Sequence, residues 1–191
     1  MSDIFQILIK SAIVDNVVFI QYLAICPFIG MTSETDKAFG MGVATSFVIL
    51  LATAVTWPIY KLIMIPLHLD FLQTLIFILV IASLVQLVEF FLKKSIPSLY
   101  KSMGVYLALI TTNCAVLGVT INCISKNYNY GQSLVYALGS AIGFIISMVV
   151  MSGVRSRLKT AKVPKAFQGT PILYVAASLL SLAFLGFKGL I

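Results

Sequence analysis

The sequence predicts an all-α integral membrane protein of six transmembrane helices. They are arranged as two inverted three-helix repeats, with an interrupted first helix in each half. Three observations carry that prediction. Of the 191 residues, 60% are hydrophobic and only 10% charged, and the mean hydropathy is +1.06, whereas soluble domains carry roughly 25% charged residues. The apolar residues fall into six long runs, and a helix needs about 20 such residues to cross ~30 Å of hydrocarbon. Short segments of the first three runs recur, in the same order, in the last three. This composition excludes a water-soluble enzyme, a disordered tail and a secreted disulfide scaffold. Six spans take up about 120 residues. That leaves a single polytopic domain over 1–191, with repeat one at about 1–95 and repeat two at about 96–191.

Span one, Ile4 to Ile29, holds Lys10, Asp15, Asn16 and Gln21 and ends in Cys26-Pro27-Phe28-Ile29-Gly30. Proline removes a backbone donor and clashes with the preceding turn, so this run is expected to break near Pro27 and Gly30. Span two, Ala38 to Tyr60, closes on Trp57 and Tyr60, which read as interfacial anchors. His68, in the short loop that follows, reads as solvated. Span three, Phe71 to Leu92, carries Glu89 late. Span four, Leu99 to Ile124, contains Thr111, Thr112, Asn113, Cys114 and Gly118, a second set of helix-weakening residues beside a cysteine. Tyr128 and Tyr130 anchor the start of span five, Gln132 to Val154, and span six runs from Pro171 to Phe187.

Loop charge predicts orientation. Loops after spans one, three and five carry Lys37, then Lys93, Lys94 and Lys101, then Arg155, Arg157, Lys159, Lys162 and Lys165. The opposite loops carry Lys61, Lys126 and Lys188, a bias of nine to three. Cytoplasmic loops are the Lys/Arg-rich ones, so both termini are expected outside. The formal charge of +7 then needs no nucleic acid. The stretch from Arg155 to Lys165 is also suited to anionic lipid or a cytoplasmic subunit. The first thirty residues lack the basic n-region and small-residue site of a cleavable signal peptide.

The internal repeat pairs Cys26-x-x-x-Gly30 with Cys114-x-x-x-Gly118, and Gly42-Val43-Ala44-Thr45-Ser46-Phe47 with Gly139-Ser140-Ala141-Ile142-Gly143-Phe144. It also pairs Gln73 and Ala82-Ser83-Leu84 with Gln168 and Ala177-Ser178-Leu179. Halves with an odd number of spans are oppositely oriented, and such repeats place a site near the midplane on interrupted helices. Cys26 and Cys114 occupy matched positions there, whereas Cys123 has no counterpart and reads as packing. A membrane cysteine can ligate iron or copper, form a disulfide or simply pack. Along unbroken helices Cys26 would lie about 33 Å from Ile4 and Cys114 about 20 Å from Lys101. A shared site therefore requires real breaks. Ionisable groups inside a membrane usually face the bundle interior, which makes Asp15 and Glu89 candidates for an ion path.

The segments Gln21-Tyr22-Leu23-Ala24-Ile25-Cys26-Pro27-Phe28-Ile29-Gly30 and Leu109-Ile110-Thr111-Thr112-Asn113-Cys114-Ala115-Val116-Leu117-Gly118-Val119 closely resemble the signatures of a respiratory-complex family. That family comprises the A subunit of Rnf complexes (RnfA) and the E subunit of the sodium-translocating NADH:quinone reductase (NqrE), and the chain looks nearer the former. The likeness extends over Phe39-Gly40-Met41-Gly42-Val43-Ala44-Thr45 and Leu182-Ala183-Phe184-Leu185-Gly186-Phe187. Two departures are Asp15 before Asn16, where the family has an Asn-Asn pair, and Ala24, where it has a glycine.

The resemblance implies one component of an ion-translocating ferredoxin:NAD+ oxidoreductase in a bacterial inner membrane. It implies a [2Fe-2S] cluster inside the membrane, with Cys26 and Cys114 as two ligands, relaying electrons while Na+ or H+ moves. An all-cysteine cluster needs four thiolates, so two come from another polypeptide. The implied source is the paralogous, oppositely oriented E subunit of the Rnf complex (RnfE), alongside its B, C, D and G subunits. No P-loop, dinucleotide-binding glycine pattern or H-x-x-x-H is present, nor a covalent-flavin segment, so nucleotide and ferredoxin chemistry is expected elsewhere. Competing readings are the sodium-pump relative, a stand-alone secondary transporter, whose architecture also uses inverted repeats, and a structural subunit with packed cysteines.

Overall fold

The computed structural model describes residues 2–67, 70–95, 109–110, 112–161, 164 and 167–186. His68, Lys101, Lys162, Lys165, Lys188, the side chain of Lys93 and the start of span four lie outside the described residues. Regular structure among the described residues is helical throughout. Helix α1, Ser2–Ile9, widens into a π turn at Lys10–Val14, and α2 is short, Ile25–Met31. Helix α3, Thr35–Ile59, continues through a π turn at Tyr60–Met64 to Leu67. Then follow α4, Gln73–Ser95; α5, Cys114–Ser125; α6, Tyr130–Leu158; and α7, Thr170–Leu185. Among the described residues, three segments are long and apolar enough to cross a membrane: Thr35–Met64, Gln73–Phe90 and Tyr130–Leu158. Ile4–Val14, Cys114–Ser125 and Thr170–Leu185 are shorter apolar helices.

Helices α3 and α6 pack antiparallel and form the spine. At one end Trp57 Nε1 donates to Tyr128 O at 3.0 Å and its ring meets Tyr130, with Lys61 Nζ over it. At the other, Ser152 Oγ lies 3.1 Å from Thr35 Oγ1. There Arg155 Nη1 donates to Ile29 O at 2.7 Å, and Lys159 Nζ donates to Ser33 O at 3.2 Å. The cations assigned from sequence to opposite loops are thus separated, Lys61 and Lys126 at one end and Arg155 and Lys159 at the other. Helix α6 starts under a capping box, with Asn129 N donating to Gln132 Oε1 at 3.1 Å.

Packing runs opposite to that of a soluble bundle. The buried stripe of α3 contains Gly42, Thr45, Thr53 and Thr56, and that of α6 contains Ser133, Gly139, Ser140, Gly143, Ser147 and Ser152. The large apolar residues Phe39, Val43 and Phe47 of α3, and Leu138, Ile142 and Ile146 of α6, point outward. Small and hydroxylated residues inside let backbones approach, which is how helices associate when lipid is as apolar as leucine. The hydroxyls are satisfied by their own helices: Ser46 donates to Gly42 O at 2.7 Å and Thr53 to Ile49 O at 2.8 Å.

Helix α1 lies parallel to α6 and very close to it. A Cβ on Gly143 would stand 2.6 Å from Ala12 O, and one on Gly139 would collide with Ser11 and Leu8 O. Gly153, on the same helix, has nothing within 4 Å of such a Cβ. Gly143→Ala should therefore cost about 1–3 kcal/mol through overpacking, read as a lowered Tm in detergent, while Gly153→Ala leaves Tm nearly unchanged. Equal effects at the two sites would sink this account.

Candidate functional site

The chain leaves α1 at Asp15 and re-enters a helix only at Ile25. The exit is a widened turn in which Asp15 N–H donates to Lys10 O at 2.7 Å. Backbone freed inside an apolar bundle has no water to fall back on. The fully buried side chain of Asn16 takes over that work. Its Oδ1 accepts from Val18 N at 3.0 Å and Phe19 N at 3.2 Å. Its Nδ2 donates to Ala12 O at 3.2 Å and Gly143 O at 3.0 Å. Ile20 N–H and Leu23 N–H then bond Asn16 O and Val17 O, and Ser181 Oγ of α7 donates to Phe19 O at 2.5 Å. Tyr22 and Ala24 close the segment with φ of 56° and 60°, the left-handed region.

The second break is brief. Asn113 is extended, and its Oδ1 accepts from Ala115 N at 3.0 Å, capping α5 so that Cys114 is the first helical residue. The two breaks meet: Ala24 N–H donates to Cys114 Sγ at 2.9 Å. Cys26 and Cys114 thus both lie in the first turn of a short helix, next to the junction of the breaks, and both thiols are exposed. Helix α2 runs from there to the Arg155 end. Helix α5 runs to the Trp57 end, where Thr120, Cys123 and Ile124 pack beside Thr53, Thr56 and Trp57. Cys114 stands about two turns back from those residues, level with the middle of α3. Straight helices would have left the cysteines at different depths, and the breaks remove that conflict.

The cause of the first break differs from the sequence expectation. Pro27 and Gly30 lie inside α2, and the chain breaks before them, over residues 15–24. Proline in a first helical turn lacks an N–H that would have had no intrahelical acceptor, so it starts α2 rather than breaking a helix. Gly118 is likewise helical, and a Cβ there would collide with Leu23. Asn16 was legible only as a polar residue in span one. The Gly139-x-x-x-Gly143 spacing is the signal that would have pointed to its partner.

Asp15 pairs with Lys126 at 3.0 Å, and Asn122 Nδ2 donates to Gln21 Oε1 at 2.9 Å, tying the first break to the end of α5. Lys126 also sits over the Tyr136 ring. Burial lowers the Lys126 pKa, but the Asp15 hydrogen bond and nearby charge outweigh it and hold the ammonium above its ordinary value. Glu89 is half-buried in the last two turns of α4, and the structure does not join it to Asp15. Cys123 is buried, its Sγ 3.8 Å from Ser133 O, and lies about 14 Å along α5 from Cys114. Among the described residues no third His, Cys, Asp or Glu joins Cys26 and Cys114 to make a closed metal site. Two exposed thiols at one junction fit half of a four-thiolate set and cannot complete it alone.

Residues 4–191 match the family described as Rnf-Nqr subunit, membrane protein. The chain belongs to that family. It is 49% identical over 191 residues to the A subunit of the ion-translocating oxidoreductase complex of Syntrophotalea carbinolica, covering 100% of this chain and 99% of that protein. It is 50% identical over 184 residues to the A subunit of the Na(+)-translocating ferredoxin:NAD(+) oxidoreductase complex of Acetobacterium woodii, covering 96% of each. A third relative, the A subunit of the ion-translocating oxidoreductase complex of Rhodobacter capsulatus, is 47% identical over 191 residues, covering 100% of this chain and 99% of that protein. Membership accords with the apolar helices and the inside-out packing of a helical membrane protein.

The glycine expected of the family at position 24 now has a physical reason. Ala24 adopts φ 60° and ψ 31° and is fully buried, a conformation costing about 1–2 kcal/mol for an L-residue. Ala24→Gly should stabilise the protein by up to about 1 kcal/mol once glycine's own entropy is deducted, seen as a raised Tm. A lowered Tm would mean that the buried methyl outweighs the strain.

Proposed function

We propose that this chain is the A subunit of an Rnf-type ion-translocating ferredoxin:NAD+ oxidoreductase in a bacterial inner membrane. It supplies Cys26 and Cys114 as two of the four ligands of an intramembrane [2Fe-2S] cluster. The observation that carries this reading is the 2.9 Å bond from Ala24 N–H to Cys114 Sγ, which joins the two breaks and their cysteines. The relatives support it, each being named as the A component of such a complex. When bound, the cluster supplies one-electron transfer across the apolar interior. The chain's own residues do the holding: Asn16 and Asn113 fix the breaks, and Ala24 orients the Cys114 sulfur.

The exposure of both thiols supports a partner that brings the remaining two ligands. That partner is the E subunit of the Rnf complex, within an assembly that includes its B, C, D and G subunits. Six spans in two inverted repeats fit helices α2 and α5, which leave the junction in opposite directions. On this reading the Arg155 end faces the cytoplasm, and both termini lie outside. Asp15 and Glu89 serve the movement of Na+ or H+, Asp15 from within its pair with Lys126.

The purified complex tests the cluster assignment. Cys26→Ser and Cys114→Ser should each abolish the low-temperature EPR signal of the reduced cluster, and Cys123→Ser should retain it. A signal surviving either of the first two overturns the ligand assignment, and stoichiometric iron in the isolated chain overturns the shared site. In proteoliposomes, Glu89→Gln and Asp15→Asn should each slow ferredoxin-driven ion uptake several-fold. Uptake at the wild-type rate in both would remove them from the ion path.

A further inference from the structure

Four buried polar side chains, Thr45, Asn113, Tyr136 and Ser140, carry an atom without a hydrogen-bond partner among the described residues. Three are hydroxyls on the long helices. The fourth is the amide nitrogen Nδ2 of Asn113, which adjoins Cys114 in sequence and is only 6% exposed. Its orientation is not free. Oδ1 of the same amide accepts from Ala115 N at 3.0 Å, and flipping the group would set two donors against each other. The capping bond therefore fixes the orientation of Nδ2. A buried donor left unmatched in a low-dielectric setting is unfavourable, and such donors normally have an acceptor.

We propose that Asn113 Nδ2 donates a hydrogen bond to a sulfur of the [2Fe-2S] cluster and thereby raises its reduction potential. The inference rests on Cys114 being a ligand, as proposed above. The acceptor class follows from the surroundings: the neighbouring residue ends in sulfur, and that sulfur already takes one N–H, from Ala24. Hydrogen bonds to the sulfurs set cluster potentials, because a donor favours the state carrying the added electron. Asn113 thus has two separable roles, capping α5 through Oδ1 and tuning the potential through Nδ2.

Asn113→Ser separates them, since serine caps a helix as well as asparagine does but offers no amide donor. In the intact complex, potentiometric titration followed by EPR should show a midpoint potential shifted to more negative values, with thermal stability close to wild type. Asn113→Asp, which also caps but puts an anion in place of the donor, should shift it further in the same direction. An unshifted potential in both variants overturns the proposal, including the case where Nδ2 bonds a partner's carbonyl and assembly weakens instead. A measurement on the unmutated complex guards against misassembly of the variants. With [δ-15N]asparagine incorporated, pulsed EPR of the reduced state should detect weak 15N coupling, and its absence overturns the proposal. Lack of any reduced-cluster signal in the wild-type complex would instead overturn the ligand reading on which this rests.

Discussion

The arrangement depends on one constraint: backbone that leaves a helix inside an apolar bundle must find its partners within the protein. Residues 15–24 do this through Asn16, whose amide binds two following N–H groups, one preceding carbonyl and one carbonyl of α6. The last of these, Gly143 O, is reachable only because Gly139 and Gly143 let α1 lie against α6. The bare face of α6 thus permits the Asn16 network, the network permits the break, and the break delivers Ala24 to Cys114. Each step is a contact between residues far apart in sequence.

The same logic explains which residues face inward. In water the hydrophobic effect would bury Phe39, Phe47 and Ile142 and expose the serines. Here those side chains point outward, while Ser147 lies 2.8 Å from Gly143 O and 3.0 Å from Asn16 Oδ1. Polar side chains concentrate where backbone is interrupted or helices touch, because no solvent competes for their hydrogen bonds there. The ion pair of Asp15 with Lys126 and the bond between Gln21 and Asn122 extend this pattern to the Trp57 end.

Much of this was legible in the sequence, because membrane insertion constrains composition so strongly. The long apolar runs, the division of cations between two ends and the matched cysteines all follow from local pattern. The location of the first break did not follow. Pro27 is the conspicuous local signal, yet its missing N–H is harmless in a first turn. The break belongs to Asn16, whose role exists only once Gly143 is beside it, across 127 residues of chain. Likewise Asn113 is recognisable as a cap from its neighbours, but the N–H that reaches Cys114 Sγ comes from Ala24, 90 residues away. Local propensity locates elements, whereas the junction between them is a tertiary fact.

The two breaks are also unequal, and the inequality bears on how the thiols are held. The second is a single capped turn whose geometry Asn113 sets locally. The first is a long irregular segment, clasped by α6 through Asn16 and by α7 through Ser181. Since Ala24 belongs to the long segment and Cys114 to the short one, their N–H to sulfur bond transmits the position of the first break to the second. Cys26, two residues beyond Ala24, moves with the same segment. The relative placement of both thiols is therefore governed from one side, by the hydrogen-bonded segment between α1 and α2. With both sulfurs exposed at one junction, completion of the site falls to whatever covers that surface. A chain built this way fixes half of a coordination geometry in advance and leaves the other half to assembly.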